Sequence, residues 1–215
     1  NAWGLGRFDW DEDSSRFTFL YNRRGHQLMR FIAIDGVTGE ATILIEEKND
    51  TFIDYSQKNY LNRIEGTDHL VWMSERDGWN HLYLFDAKEG GVVRQLTKGE
   101  WVVRRVERLD EDKGELWFWA GGVYPDQDPY YLHLGCVDLK SDGAKVRFVT
   151  DGDGTHSVEW SPDNRFLIDT WSRVDQPPVH ELRRASDGEL LCRLEEADAG
   201  ELLAAGRRFP ERFVA

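Results

Sequence analysis

One short plan recurs four times along this chain: a strand-like run ends in a polar turn, and a glycine in that turn launches another short strand. The glycines are Gly39, Gly91, Gly143 and Gly188, standing 52, 52 and 45 residues apart. That period is too long for a helical hairpin repeat and close to the length of one four-stranded propeller blade. Units of this kind bury their apolar faces only by stacking on their neighbours, so the chain is expected to be all-β and quasi-repetitive.

Each unit holds four apolar runs bounded by turn residues. In the first they are Arg7 to Trp10, Arg16 to Asn22, Gln27 to Asp35 and Ala41 to Glu46; in the second, Leu61 to Glu65, Leu70 to Glu75, His81 to Asp86 and Val92 to Leu96. The third offers Val102 to Leu109, Glu115 to Ala120, Tyr130 to Asp138 and Lys145 to Val149, with the loop Gly121 to Pro129 between its middle strands. The fourth offers Ser157 to Trp160, Arg165 to Trp171, Val179 to Arg183 and Glu189 to Leu194. β-Branched and aromatic residues dominate these runs, and helical periodicity is interrupted until near the end. Trp10-Asp11-Glu12-Asp13-Ser14-Ser15-Arg16-Phe17 and Trp160-Ser161-Pro162-Asp163-Asn164-Arg165-Phe166 share Trp, Asp, Arg and Phe in order, the first copy one residue longer. A turn of this kind joins the first two strands of a blade. Residues 1–196 are thus expected to form about four four-stranded antiparallel blades, at about 1–50, 51–98, 99–151 and 152–196. Residues 197–215 follow as a short helix, capped by Asp198 and ended by Gly206, and an extended tail.

The formal net charge of −13 would repel a phosphate backbone, so nucleic acid is not an expected partner. The pairs Arg23-Arg24, Arg104-Arg105, Arg183-Arg184 and Arg207-Arg208 are scattered among acids and read as solvated faces or ion-pair partners. Nine Trp, seven Tyr and eleven Phe supply core material for the wedges between sheets. Cys136 and Cys192, the two cysteines, are expected as buried free thiols. No signal peptide or apolar stretch of spanning length is visible in a chain that does not begin with Met, which reads as a piece of a longer polypeptide.

A search for chemistry returns no catalytic residue. There is no G-x-S-x-G elbow to expose a serine nucleophile. His26, His69, His81, His133, His156 and His180 form neither an H-E-x-x-H nor a Cys/His cluster, so no metal or cofactor is expected. Asp151-Gly152-Asp153-Gly154 has carboxylates at alternate positions, but Thr155 and His156 stand where a calcium loop needs a ligand and its glycine, which favours a β-turn. Glu46-Glu47 and Glu195-Glu196 on strands point to opposite faces and cannot easily share one substrate group.

The stretch Trp72-Met73-Ser74-Glu75-Arg76-Asp77-Gly78-Trp79-Asn80-His81-Leu82-Tyr83-Leu84-Phe85-Asp86, followed by Gln95-Leu96-Thr97-Lys98-Gly99-Glu100-Trp101, resembles the propeller of the dipeptidyl peptidase IV-like serine peptidases. So do Asp128-Pro129-Tyr130-Tyr131, Ser161-Pro162-Asp163 and Ser172-Arg173-Val174-Asp175, while Pro210-Glu211-Arg212-Phe213 is similar to the junction with that family's hydrolase domain. The resemblance spans essentially the whole chain. It implies an eight-bladed propeller capping an α/β-hydrolase, of which these blades are the second half, with the serine triad beyond Ala215. It also implies a bacterial, periplasmic or secreted parent and a peptide substrate. The glutamates with which the family holds a peptide amino terminus lie in the earlier half, so neither Glu46-Glu47 nor Glu195-Glu196 inherits that role. An aromatic-basic pair of the family lines the far side of the cavity just before the unit that opens near Leu61; Asp54-Tyr55-Ser56 stands there, keeping the aromatic and not the base. Tyr55 is therefore the candidate substrate-lining residue, against the alternative of an anchor for an interblade loop. Other readings are a standalone binding propeller of WD-repeat or TolB-like type and, third, a glycoside-acting propeller. Two copies assembling into a ring would be one way to cover the open ends.

Overall fold

A computed structural model describes residues 1–141 and 145–211; Gly143, Arg212 and Phe213 fall outside them. The described residues form four antiparallel sheets, each of four strands taken in chain order. The first holds β1 (Ala2–Trp10), β2 (Arg16–Arg23), β3 (Leu28–Asp35) and β4 (Ala41–Lys48); the second β5 (Leu61–Arg63), β6 (His69–Ser74), β7 (His81–Asp86) and β8 (Val92–Gln95). The third holds β9 (Val102–Asp110), β10 (Glu115–Gly121), β11 (Leu132–Asp138) and β12 (Val146–Phe148); the fourth β13 (Thr155–Trp160), β14 (Phe166–Arg173), β15 (Gln176–Arg184) and β16 (Leu190–Glu196). This is a propeller-type arrangement that does not close. One apolar core joins the first sheet to the second around Phe31, Trp72 and Phe85; another joins the second to the third around Leu82 and Phe118. A third core joins the third sheet to the fourth around Trp117, Trp119 and Leu167. Trp117, Trp119 and Phe118, almost wholly buried, meet the expected role of wedge fillers, whereas Trp3, Phe8, Trp10, Phe52, Trp79 and Tyr130 are exposed.

Backbone hydrogen bonds reveal the repeat more sharply than the glycines do. In each sheet the residue after the third strand donates to the carbonyl before the second: Gly36 to Ser15, Ala87 to Asp68, Leu139 to Gly114 and Ala185 to Arg165, at 2.7–2.9 Å. Turn length corrects the glycine register. Asp35 N–H bonds Glu40 O and Arg184 N–H bonds Glu189 O, so Gly39 and Gly188 precede the closing residue; in the second sheet Asp86 N–H closes on Gly91 O. Gly90, not Gly91, is thus the counterpart of Gly39 and Gly188. All three have the positive φ that only glycine adopts freely, and Gly90 and Gly188 also press on the preceding sheet. A Cβ on Gly90 would stand 2.5 Å from Ile43 O, and one on Gly188 2.8 Å from the Val149 Cα.

The two Trp-anchored turns also prove equal in length. Asp11 N–H bonds Arg16 O as Ser161 N–H bonds Phe166 O, and the left-handed tip residues Ser14 (φ 58°) and Asn164 (φ 55°) superpose in register. Arg16 therefore answers to Phe166, not to Arg165; hydrogen-bond closure, which side-chain identity does not report, fixes the loop.

Several strand ends differ from expectation. β1 begins at Ala2 although Gly4 and Gly6 argue against a strand, because pairing with β2 overrides propensity. β11 begins at Leu132 and not Tyr130, since Tyr131 N–H bonds Asp128 O in a turn. β15 takes in Pro177 and Pro178. The helix α1 (Gly200–Ala204) starts later than expected: its N-cap is Ala199, and Asp198 instead accepts the Gly200 N–H at 2.7 Å. Gly206 ends it as expected, with φ 79° and its N–H on Leu203 O. Both thiols are free, but Cys192 is exposed on β16, the outermost strand of its sheet; Cys136 alone is buried, and burial pushes its thiol up to about 12. Among the described residues no helix is long and apolar enough to cross a membrane.

Candidate functional site: the seams between sheets

Polar side chains concentrate where one sheet packs on the next. At the first seam Glu47 leaves β4 and turns inward while Glu46 turns outward to Arg30, as strand alternation requires. Glu47 is buried and accepts hydrogen bonds from Trp72 Nε1 (3.1 Å), Ser74 Oγ (2.8–2.9 Å) and Arg76 Nη2 (2.8 Å), all from the second sheet. The connection between β4 and β5 folds over this seam. Asp54 caps its turn by accepting from Gln57 N–H and from Ser56, which together outweigh burial and hold its carboxyl low. That turn presents Tyr55, half-buried against the apolar core, with its ring 4.4 Å from His26 and 6.2 Å from Phe52. His26 itself sits at φ 54° and meets Trp3 edge-on at 5.2 Å. The structure therefore places the one sequence-derived candidate, Tyr55, in an aromatic group at the end of the first seam, beside a cavity of about 20 Å³.

The second and third seams share a device that sequence reading missed. His81 Nδ1 faces Thr97 Oγ1 at 3.0 Å while Thr97 Oγ1 accepts the Leu82 N–H; Thr150 Oγ1 likewise accepts the Leu134 N–H beside His133. The signal was a His-Leu pair followed by Thr at 16 and 17 residues, a spacing that has meaning only once the two outer strands are paired.

The third seam is the most charged. Arg183, nearly buried, reaches Asp151 (2.6 Å), Glu181 (2.7 Å) and Asp169 (3.2 Å). Asp169 is fully buried and 2.8 Å from His156 Nδ1, whose Nε2 meets Gly152 O. Arg173 binds Asp153 and Asp175. The carboxylates of Asp151-Gly152-Asp153-Gly154 are thus held by arginines. Its glycines admit Trp171, for a Cβ on Gly152 would lie 2.6 Å from that indole. Of the six histidines, His26, His81, His133, His156 and His180 have hydrogen-bonding partners of the ordinary kind expected for them. Among the described residues no three His, Cys, Asp or Glu side chains converge as a metal site.

His133 makes this seam acid-sensitive. Burial, aided by His156, holds its pKa down to about 4 from 6.5. A base depressed in the fold takes up its proton more readily when unfolded, so its stabilising effect is complete above pH 6.5 and is lost as pH falls towards 4. His81 is lowered by burial in the same direction. Urea midpoints should show about 3 kcal/mol lost across that window from His133. His133→Gln should flatten the slope, and an unchanged slope would refute the assignment.

A family described as the dipeptidyl peptidase IV (DPP IV) N-terminal region has a model that matches residues 4–178 of the chain. The chain belongs to this family. Among relatives of the DPP IV N-terminal region, an Aspergillus flavus protein named "Probable dipeptidyl peptidase 4" is 28% identical over 181 residues, covering 80% of this chain and 23% of its own length. Dipeptidyl peptidase 4 of Arthroderma otae is 35% identical over 60 residues, 28% of this chain and 8% of the relative. The crystal structure of Porphyromonas gingivalis dipeptidyl peptidase 4 superposes with a TM-score of 0.66 at 19% identity, over 93% of this chain and 27% of that one, a likeness of fold. The chain thus spans about a quarter of the length of the Aspergillus relative and of the Porphyromonas structure.

Proposed function

We propose that this DPP IV N-terminal segment is the non-catalytic propeller portion of a serine exopeptidase. Its four blades, residues 1–196, form part of the wall and lid of a substrate cavity, and 197–215 lead towards an α/β-hydrolase joined further along the same polypeptide. The family match over residues 4–178 carries this reading. It is supported by the chemistry of the seams, where Glu47 bonds the first sheet to the second and Arg183, held within the fourth sheet by Asp169 and Glu181, reaches Val149 O at the end of the third. A rigid wall of this sort admits short or flexible peptides and keeps folded proteins from the nucleophile. The first sheet is fitted for a neighbour on its other side: Phe8 stacks on Phe19 and Trp10 packs tilted against Phe17, Phe8 and Trp10 both exposed, and Gly39 has open space where Gly90 and Gly188 meet the preceding sheet.

Within that wall Tyr55 is the residue proposed to touch peptide. Its ring lies at a seam end beside exposed Phe52 and on His26, which exposed Trp3 meets edge-on. In the full-length enzyme Tyr55→Ala is expected to lower kcat/KM about three- to tenfold for longer peptides relative to short ones, the worth of one aromatic contact. The ratio isolates contact from any loss of stability. Equal ratios for wild type and variant across a peptide series would remove Tyr55 from the site and leave it as the loop anchor.

A further inference from the structure

The cavity at the first seam has room for about one water-sized particle, at about 20 Å³. Three side-chain amides line it, of which Asn49 already accepts from Thr51 through its Oδ1. Asn80, wholly buried, gives its Nδ2 to Val103 O at 2.6 Å, and Asn59 gives its Nδ2 to Tyr55 O at 3.0 Å. These bonds fix the orientation of both amides, because the carbonyl they face accepts only an N–H. Both Oδ1 atoms are buried, and neither finds a donor among the described residues. A buried acceptor left without a partner costs about 1–3 kcal/mol, and here two residues that carry such atoms line one small space.

The surrounding charge narrows what could satisfy them. Glu47, Asp54 and Glu75 line the cavity with Lys58, which is bound to Glu75; Arg76 binds Glu47 from outside the lining. Three carboxylates face two cations, so the site carries one negative charge in excess. Neutral amide oxygens can replace the hydration shell of a weakly hydrated cation, and a nearby net charge of −1 favours a single positive one.

We propose that this cavity binds one monovalent cation of potassium or ammonium size, with the Oδ1 atoms of Asn59 and Asn80 among its ligands. The cation fastens the β4–β5 connection, which carries Asn59, to Asn80, the residue just before β7. The inference does not rest on the peptide role of Tyr55, and its tests use no peptide. A search for His, Cys and acid spacing passes over such a site, because its ligands are amides 21 residues apart that meet only across a seam.

The full-length polypeptide crystallised with rubidium chloride as the only monovalent salt should give an anomalous peak in the cavity within ligand distance of Asn80 Oδ1. At constant ionic strength, its thermal midpoint should be about 3 °C higher in potassium chloride than in choline chloride, whose cation is too large to enter. Asn59→Ala, at a half-buried position that tolerates truncation better than Asn80, should abolish most of that difference. A cavity holding ordinary water density and no anomalous peak, or equal midpoints in the two salts, would overturn the proposal.

Discussion

Arg183→Ala is expected to cost the fold about 3–5 kcal/mol, a large fraction of a domain's stability. The side chain is the positive centre of the third seam. It holds Asp169 and Glu181, both buried, together with Asp151, and its Nη1 also reaches Val149 O and Gly188 O at 3.3–3.4 Å. Truncation leaves two buried carboxylates short of a partner, with only His156 near Asp169 and Arg193 at 3.5 Å from Glu181. The penalty comes from those stranded charges rather than from the worth of the pairs themselves. Arg183→Lys should recover little, since one ammonium cannot reproduce the fork that serves three carboxylates and two carbonyls. Urea denaturation of wild type and both variants measures the effect. A loss below about 1 kcal/mol for Arg183→Ala would mean the network is dispensable.

Trp117→Ala is expected to cost a similar amount, about 3–5 kcal/mol, for an apolar reason. Trp117 is 1% exposed at the core of the same seam, edge-on to Trp160 at 4.8 Å. Arg108 and Arg147 lie 5.5 and 5.6 Å from its ring, and Arg108 also covers Trp160 at 4.4 Å. Removing the indole opens a cavity and takes away the π face on which two partly desolvated guanidinium groups rest. Trp117→Phe should retain more than half of the stability that Ala forfeits. The same urea series reads both, and a Phe variant as unstable as Ala would show that packing is not what Trp117 contributes.

Strands were the legible part of this molecule. Runs such as Leu70 to Glu75 and His81 to Asp86 are apolar and β-branched or aromatic between Gly- and Asp-rich turns, and the structure forms β6 and β7 there. What the sequence hid was everything that depends on pairing. Gly90 could not be told from Gly91, because only the Asp86–Gly91 hydrogen bond shows which one occupies the turn. Cys192 reads as a buried strand residue, yet β16 is the outer strand of the last described sheet and has no neighbour to cover it. Only family resemblance points to Tyr55, because its stacking on His26 joins residues on two different connections. The His-Thr pairs and the Asn59/Asn80 cavity lay outside local pattern altogether, since their members meet only across strands or seams.

On the proposed function these blades supply wall rather than chemistry. The direct measurement is hydrolysis by the full-length polypeptide of one short peptide with a free amino terminus, offered either in solution or fused as the amino-terminal end of a folded domain. A wall that excludes bulk predicts rapid cleavage of the free peptide and at least about a hundredfold slower cleavage when the folded domain follows within a few residues. Equal rates on the two substrates would contradict it.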